Sequence, residues 1–103
     1  MANAFQPRSR DAEIKLLQSD LADFPNTRRY LEPLIEDALT LFSFDEFDYV
    51  RVRSELWNLI PLAAERFLAN PVNISADYRF STYFGWYISK TVDRYFHIRR
   101  TEA

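Results

Sequence analysis

The sequence predicts an all-α fold, a compact bundle of about four helices, because apolar residues recur at three- and four-residue spacing in several separate stretches. Two further observations agree. The chain of 103 residues holds one Gly, against the many Gly-containing turns a β-rich chain of this size needs to connect its strands. Cap-forming Ser and Asp residues stand at the heads of the apolar stretches. Hydrophobic residues make up 48% of the chain, enough to close one core with little left for a second.

The elements follow in order. Residues 1–8 read as a flexible head, and 9–103 as a single helical domain. Ser9 can cap a first helix with apolar positions Ile14, Leu17 and Leu21, which Phe24-Pro25-Asn26-Thr27 ends. A second helix runs from about Thr27 to Phe42; Tyr30, Leu31, Leu34, Ile35, Ala38, Leu39 and Leu41 form its apolar face. Pro33 marks either its true start or a bend. Ser43-Phe44-Asp45-Glu46 has the S-x-x-E form of a capping box, and Asp48 can cap again before a third helix from Tyr49 to Leu68. Pro61 removes a backbone hydrogen bond there, so a kink is expected near Trp57. Asn70 to Asp77 is the one substantial loop, Ser81 stands where an N-cap belongs, and the final helix runs from Thr82 to about Arg99.

Composition narrows the function. With no Cys there is neither a disulfide nor a thiolate nucleophile or metal ligand. The sequence shows no Ser/His/Asp set, Gly-rich phosphate loop or metal-ligand cluster, so no enzyme, metal or cofactor is expected. The sole histidine, His97, lies near a helix end with Arg99 and Arg100, where the helix dipole favours cations. Glu32, Glu36, Asp37, Asp45, Glu46 and Asp48 read as a solvated face or an interaction surface. No apolar run approaches the roughly 20 residues that span a bilayer, so no membrane partner is expected and a reducing cytoplasm is the simplest home.

The net charge of −2 divides unevenly. Residues 1–48 hold five Lys/Arg against ten Asp/Glu, and residues 49–103 hold eight against five. That asymmetry fits either a polyanion partner for the rear half or two halves that neutralise each other within one fold.

The final helix departs from a routine amphipathic pattern, with six aromatics in the eleven residues from Tyr78 to Ile88. Phe84, Ile88, Thr91, Val92 and Tyr95 keep the spacing of a core stripe; Tyr83, Trp86, Tyr87, Lys90 and Arg94 form an adjoining stripe of rings and cations. Flat rings beside cations are the equipment of single-stranded nucleic-acid binding.

Here the string Phe80-Ser81-Thr82-Tyr83-x-x-Trp86-Tyr87-Ile88 resembles the F-S-T-Y-x-x-W-W-I signature of region 2 in sigma-70-type transcription initiation factors. Ala63-Ala64-Glu65-Arg66-Phe67 resembles the A-x-E-K/R-F ending of the family's preceding helix, and Arg51-Val52-Arg53-Ser54-Glu55 aligns with its D-L-x-Q-E motif. Of that motif Glu55 is kept; Arg51 and Ser54 stand where the family has Asp and Gln. The resemblance covers Tyr78 to Arg94 most closely and Leu31 to Phe67 more loosely.

What it implies is a prokaryotic or phage protein that binds promoter DNA, at the unpaired non-template strand of a −10-like element, together with RNA polymerase core. Tyr83 would stack on a flipped base, Trp86 and Tyr87 would wedge at the edge of the melted bubble, Lys90 would read a base edge, and Arg79 and Arg94 would hold phosphates. Arg51, Ser54, Glu55 and Asn58 would face the polymerase. No −35-reading domain is expected, the chain being a stand-alone region 2 module. The alternative is a helical protein-interaction module that kept the fold without DNA activity.

Overall fold

The computed structural model describes residues 5–70, 72–73 and 77–102, with backbone alone for 97–102. Its helices are α1 (Arg10–Ser19), α2 (Pro25–Leu39), α3 (Glu46–Ala69) and α4 (Phe80–Glu102), and no strand occurs among the described residues. The fold is an all-α bundle of four helices, as the spacing predicts.

Ser9 caps α1: its Oγ accepts the Ala12 N–H at 3.2 Å. Leu17 is buried and Ile14 half-buried, but α1 stops at Ser19 and leaves Leu21, expected on its apolar face, beyond the end and exposed. What α1 buries instead is a polar group, Glu13, at 1% exposure. Its Oε2 accepts the Tyr30 hydroxyl at 2.5 Å, and its Oε1 accepts the backbone N–H of Ser81 at 3.1 Å. One carboxyl therefore joins α1 to α2 and to the first turn of α4, where the helix dipole favours negative charge. Burial, helped by Glu13 and opposed by the Arg8 N–H, pushes the Tyr30 hydroxyl up to about 12.

The next turn places Phe24 in the left-handed region at φ 53°, uncommon for a residue other than glycine, with its ring buried. Asp20 holds that turn. Its two oxygens accept the backbone N–H groups of Leu21, Asn26 and Thr27 and the side chains of Asn26 and Thr27, at 2.7–3.3 Å. With its first-turn donors satisfied from six and seven residues back, α2 begins at Pro25, whose missing N–H costs nothing at a helix start. That is two residues before the expected Thr27. At the far end α2 stops at Leu39 rather than Phe42, which leaves Leu41, expected on the apolar face, exposed; Pro33 lies inside the helix.

Neither expected cap opens α3. Asp45 does, accepting the Asp48 N–H at 2.7 Å, while Asp48 is buried. The helix runs unbroken through Pro61 and buries Val52, Leu56, Ile60, Ala63, Ala64 and Phe67. Ser81 sits within the first turn of α4 rather than at its cap, because Glu13 supplies the acceptor.

α4 packs chiefly against α3, and the two run antiparallel. Phe67, wholly buried, lies 5.3 Å from the rings of both Phe80 and Tyr83 and 6.0 Å from Tyr78. Toward the other end Glu55 of α3 meets Arg94 of α4. Residues 5–8 lie on the bundle: Phe5 packs 5.2 Å from Tyr30 and donates its N–H to Asp37, and the Arg8 carbonyl accepts Arg79 Nε at 2.8 Å. The remainder of the expected head, residues 1–4, and loop residues 71 and 74–76 lie outside the described residues. No helix among the described residues is long and apolar enough to cross a membrane.

Two stability measurements follow. Glu13→Ala leaves the buried Ser81 N–H and the half-buried Tyr30 hydroxyl without their acceptor, at roughly 1–3 kcal/mol for the first and less for the second, and should lower the urea midpoint by the equivalent of about 2–4 kcal/mol at unchanged m. A loss under about 1 kcal/mol would show that the carboxyl does not hold the three helices together. Burial raises the Asp20 carboxyl, but the hydrogen bonds from Thr27, Leu21 and Asn26 outweigh it and leave the group below its ordinary 3.8. Asp20→Ala should therefore cost about 1–2 kcal/mol at neutral pH. Because the folded value is the depressed one, that cost persists above 3.8 and should vanish as pH falls through the lower folded value.

Candidate nucleic-acid interface

The α4 surface is set by helical phase. Counting from Phe84 at roughly 100° per residue, Tyr87 lies about 60° round the helix and Trp86 about 160°. Phe84, Ile88, Thr91 and Val92 are buried and Tyr95 half-buried, the stripe the spacing predicts. Tyr87, expected beside Trp86 on an open face, falls within the width of that stripe and is 7% exposed. Its ring stacks 6.1 Å from Phe84 and meets Trp86 edge-on at 5.2 Å. Tyr87 thus supports the indole from beneath and presents no stacking face of its own.

Trp86 is 57% exposed, and Lys90 Nζ, one turn on, stands 5.5 Å from its ring. Tyr83 is half-buried against Phe67, with its hydroxyl 3.3 Å from that of Tyr87. Burial and that neighbouring hydroxyl push Tyr83 up to about 12. Arg79 and Arg94, expected at phosphates, are both exposed and both engaged: Arg79 Nε donates to the Arg8 carbonyl, and Arg94 Nη2 lies 2.5 Å from Glu55 Oε1.

Between the end of α3 and the start of α4 lies an open hollow of about 510 Å³, lined by Arg66, Tyr78, Thr82, Tyr83, Trp86 and Tyr87. Its volume falls in the range of roughly 300–1,000 Å³ that small-ligand sites occupy. Three of these residues, Arg66, Tyr78 and Thr82, carried no role in the sequence analysis. Arg66 belongs to the Ala63–Phe67 string, but only the antiparallel register shows that it faces Tyr83; it makes no ion pair among the described residues. Tyr78 is fixed by its ring contact to Phe67 and by its hydroxyl, which donates to Asn73 Oδ1 at 2.7 Å. The hollow offers rings for stacking, a hydroxyl for a polar edge, and a cation at the rim. No group of three or more metal-ligating side chains occurs among the described residues.

Arg51, Ser54, Glu55 and Asn58 are exposed along one face of α3, at the spacing of a single helical stripe. Phe47 and Val50, both strongly exposed, extend the stripe toward the start of the helix, and the Arg51 guanidinium lies 5.7 Å over the Phe47 ring. The α3 stripe and the open side of α4 share an edge at the Glu55–Arg94 pair.

The acidic front is less free than expected. Arg53 reaches across to Glu32 at 2.9 Å and Glu36 at 2.5 Å, and Glu36 also accepts the Tyr49 hydroxyl. Burial raises the Glu36 carboxyl, yet the bonds from Tyr49 and Arg53 outweigh it and hold the group below the usual range. Asp37 accepts the Phe5 N–H, Asp45 caps α3 and Asp48 is buried, so most of these acids serve the fold, while Asp45 and Glu46 remain exposed, as expected of a solvated face. The side chains of His97, Arg99 and Arg100, assigned above to the helix dipole, lie outside the described residues.

The chain matches no family model, no curated protein and no solved structure.

The burial pattern separates the two rings of the expected dyad. Tyr87→Ala should destabilise the domain by about 3 kcal/mol or more, as large-to-small changes in a packed core do. Trp86→Ala should stay within about 1 kcal/mol of the parent chain in a denaturant titration. Equal losses at the two positions would place both rings in the core.

Proposed function

We propose that this chain is a sigma-like transcription factor, which captures an unpaired base of a −10-like promoter element on α4 while the exposed stripe of α3 engages RNA polymerase core. The observation that carries the reading is the hollow formed by Tyr78, Tyr83 and Trp86, with Arg66 at its rim and Lys90 over the indole. A base entering it stacks on Trp86 or Tyr83, and each such contact is worth roughly 1–3 kcal/mol. The cations hold the adjoining phosphates: Arg66 and Lys90 directly, Arg79 through the guanidinium edge that its bond to Arg8 leaves over. Lys90 suits guanine O6 and N7 where it meets a base edge. Tyr87 acts from below, by holding Trp86 upright. The F-S-T-Y-x-x-W resemblance supports the assignment, since the residues that line the hollow fall largely in that string.

A second reading, a helical interaction module without DNA activity, is favoured by one specific observation. Leu41, Phe42, Phe47 and Val50 leave apolar surface exposed around the α2–α3 corner, beside a hollow of about 570 Å³ edged by Asp45 and Glu46. Exposed apolar patches of this kind mark protein contacts.

Titration of a fluorescent single strand carrying a −10-like sequence, against its scrambled version at two salt concentrations, separates the readings. Binding should weaken with salt and favour the −10-like strand, and Trp86→Ala should lower the affinity about 5- to 100-fold. No binding at low ionic strength, or binding that Trp86→Ala leaves unchanged, removes the DNA reading in favour of the interaction module.

A further inference from the structure

The register that builds the hollow also joins the two proposed surfaces at one ion pair. Twelve residues back along α3 from Phe67 stands Glu55, and eleven residues forward along α4 from Tyr83 stands Arg94. Antiparallel helices with equal rise carry these two positions to the same level, and the carboxylate and guanidinium meet at 2.5 Å. Glu55 has another cation one turn earlier on its own helix, Arg51, but that guanidinium lies over the Phe47 ring. The carboxylate is therefore turned toward α4.

By the sigma-like resemblance Arg94 would hold a phosphate, and Glu55 lies in the α3 stripe assigned to the polymerase; the inference rests on the proposed function in both respects. The two roles conflict in the free chain. A phosphate approaching Arg94 meets a guanidinium already neutralised and a like charge beside it. We infer that Glu55 is a built-in competitor of the nucleic acid for Arg94, and that a partner presenting a cation to Glu55 frees Arg94 for a backbone phosphate. Polymerase-face engagement and strand capture are then coupled through a single side-chain exchange, and by linkage each strengthens the other.

The magnitude is set by exposure. The Glu55 and Arg94 side chains are 47% and 59% exposed, and pairs of that kind contribute little in water. The brake is correspondingly light, a matter of about two- to fivefold in affinity. A light brake suits exchange between partners, because a weak pair is easily opened by a competing cation.

A double-mutant cycle tests this, with a fluorescent A/T-rich single strand titrated against the parent chain, Glu55→Gln, Arg94→Gln and the double variant at two salt concentrations. Glu55→Gln should bind about two- to fivefold more tightly at low salt, with a salt slope steeper by up to about 0.7 as one more phosphate contact forms. In the Arg94→Gln background the same change should give only the small gain expected from removing one surface anion. Equal gains in both backgrounds, or no gain from Glu55→Gln in a parent chain that does bind, overturn the competitor role and leave the DNA reading standing. If none of the four proteins binds the strand at low ionic strength, the DNA reading fails and takes the competitor with it.

Discussion

Phe67 fixes how α3 and α4 lie against each other, and most of what this surface can do follows from that contact. Its ring is buried among Tyr78, Phe80 and Tyr83, a set of edge-on and tilted aromatic contacts that tolerates little sliding. Moving α4 by one residue would take Tyr83 off Phe67, swing Arg66 away from the hollow and pull Arg94 away from Glu55. Glu13 secures the same register from the opposite side by taking the Ser81 N–H. An aromatic lock and a buried carboxyl thus hold the first turns of α4 from two directions, and the hollow lies over the part so held.

Helical phase decides the remaining chemistry. The pair Trp86-Tyr87 straddles the boundary of the core stripe, so one ring stands in water and the other beneath it. That division gives the exposed indole a firm base, and a ring that does not have to be ordered on binding loses less conformational freedom when a partner stacks on it. Electrostatics sharpen the same edge. Arg53 is taken up by Glu32 and Glu36, which removes a cation from the rear half and two acids from the front, while Lys90 and Arg66 remain on the open side of α4. Part of the charge asymmetry along the sequence is therefore neutralised within the fold and part survives as a basic, aromatic edge.

The helices were legible because local signals sufficed for them: the Ser9 cap, the core spacing of α4 and the apolar face of α2 through Leu39 all stand in the structure as the sequence implies. What was illegible depends on groups distant along the chain. Asp20 caps α2 from outside it, so the start at Pro25 carries no mark of the local kind that Ser43 and Asp48 display without using it. Glu13 reads as an ordinary charged position of a short helix, and only the convergence of Tyr30 and Ser81 makes its burial favourable. In the candidate site, Trp86 and Lys90 follow from α4 alone, whereas Arg66 and Tyr78 join it only through the Phe67 register. Tyr87 was misplaced because a stripe of flat rings and cations drawn by residue type ignores the width of the buried face beside it.

The amounts involved bear on how such a domain would work. One exposed indole and one half-buried tyrosine give stacking worth a few kcal/mol at most, and two or three exposed cations add a term that falls as salt rises. On those terms alone a single strand is held weakly, far from the affinity with which dedicated DNA-binding proteins hold their sites. The α3 stripe changes the arithmetic. A partner bound there that also presents the open strand makes capture by Trp86 intramolecular, with an effective concentration in the millimolar range for short connections. A weak base-binding hollow then becomes an advantage, since it discriminates between strands already delivered without trapping the domain on single strands elsewhere. The light ion pair between Glu55 and Arg94 fits the same logic: on the proposed coupling it would oppose strand binding while the domain is free, and its small cost would disappear once a partner occupied the neighbouring face.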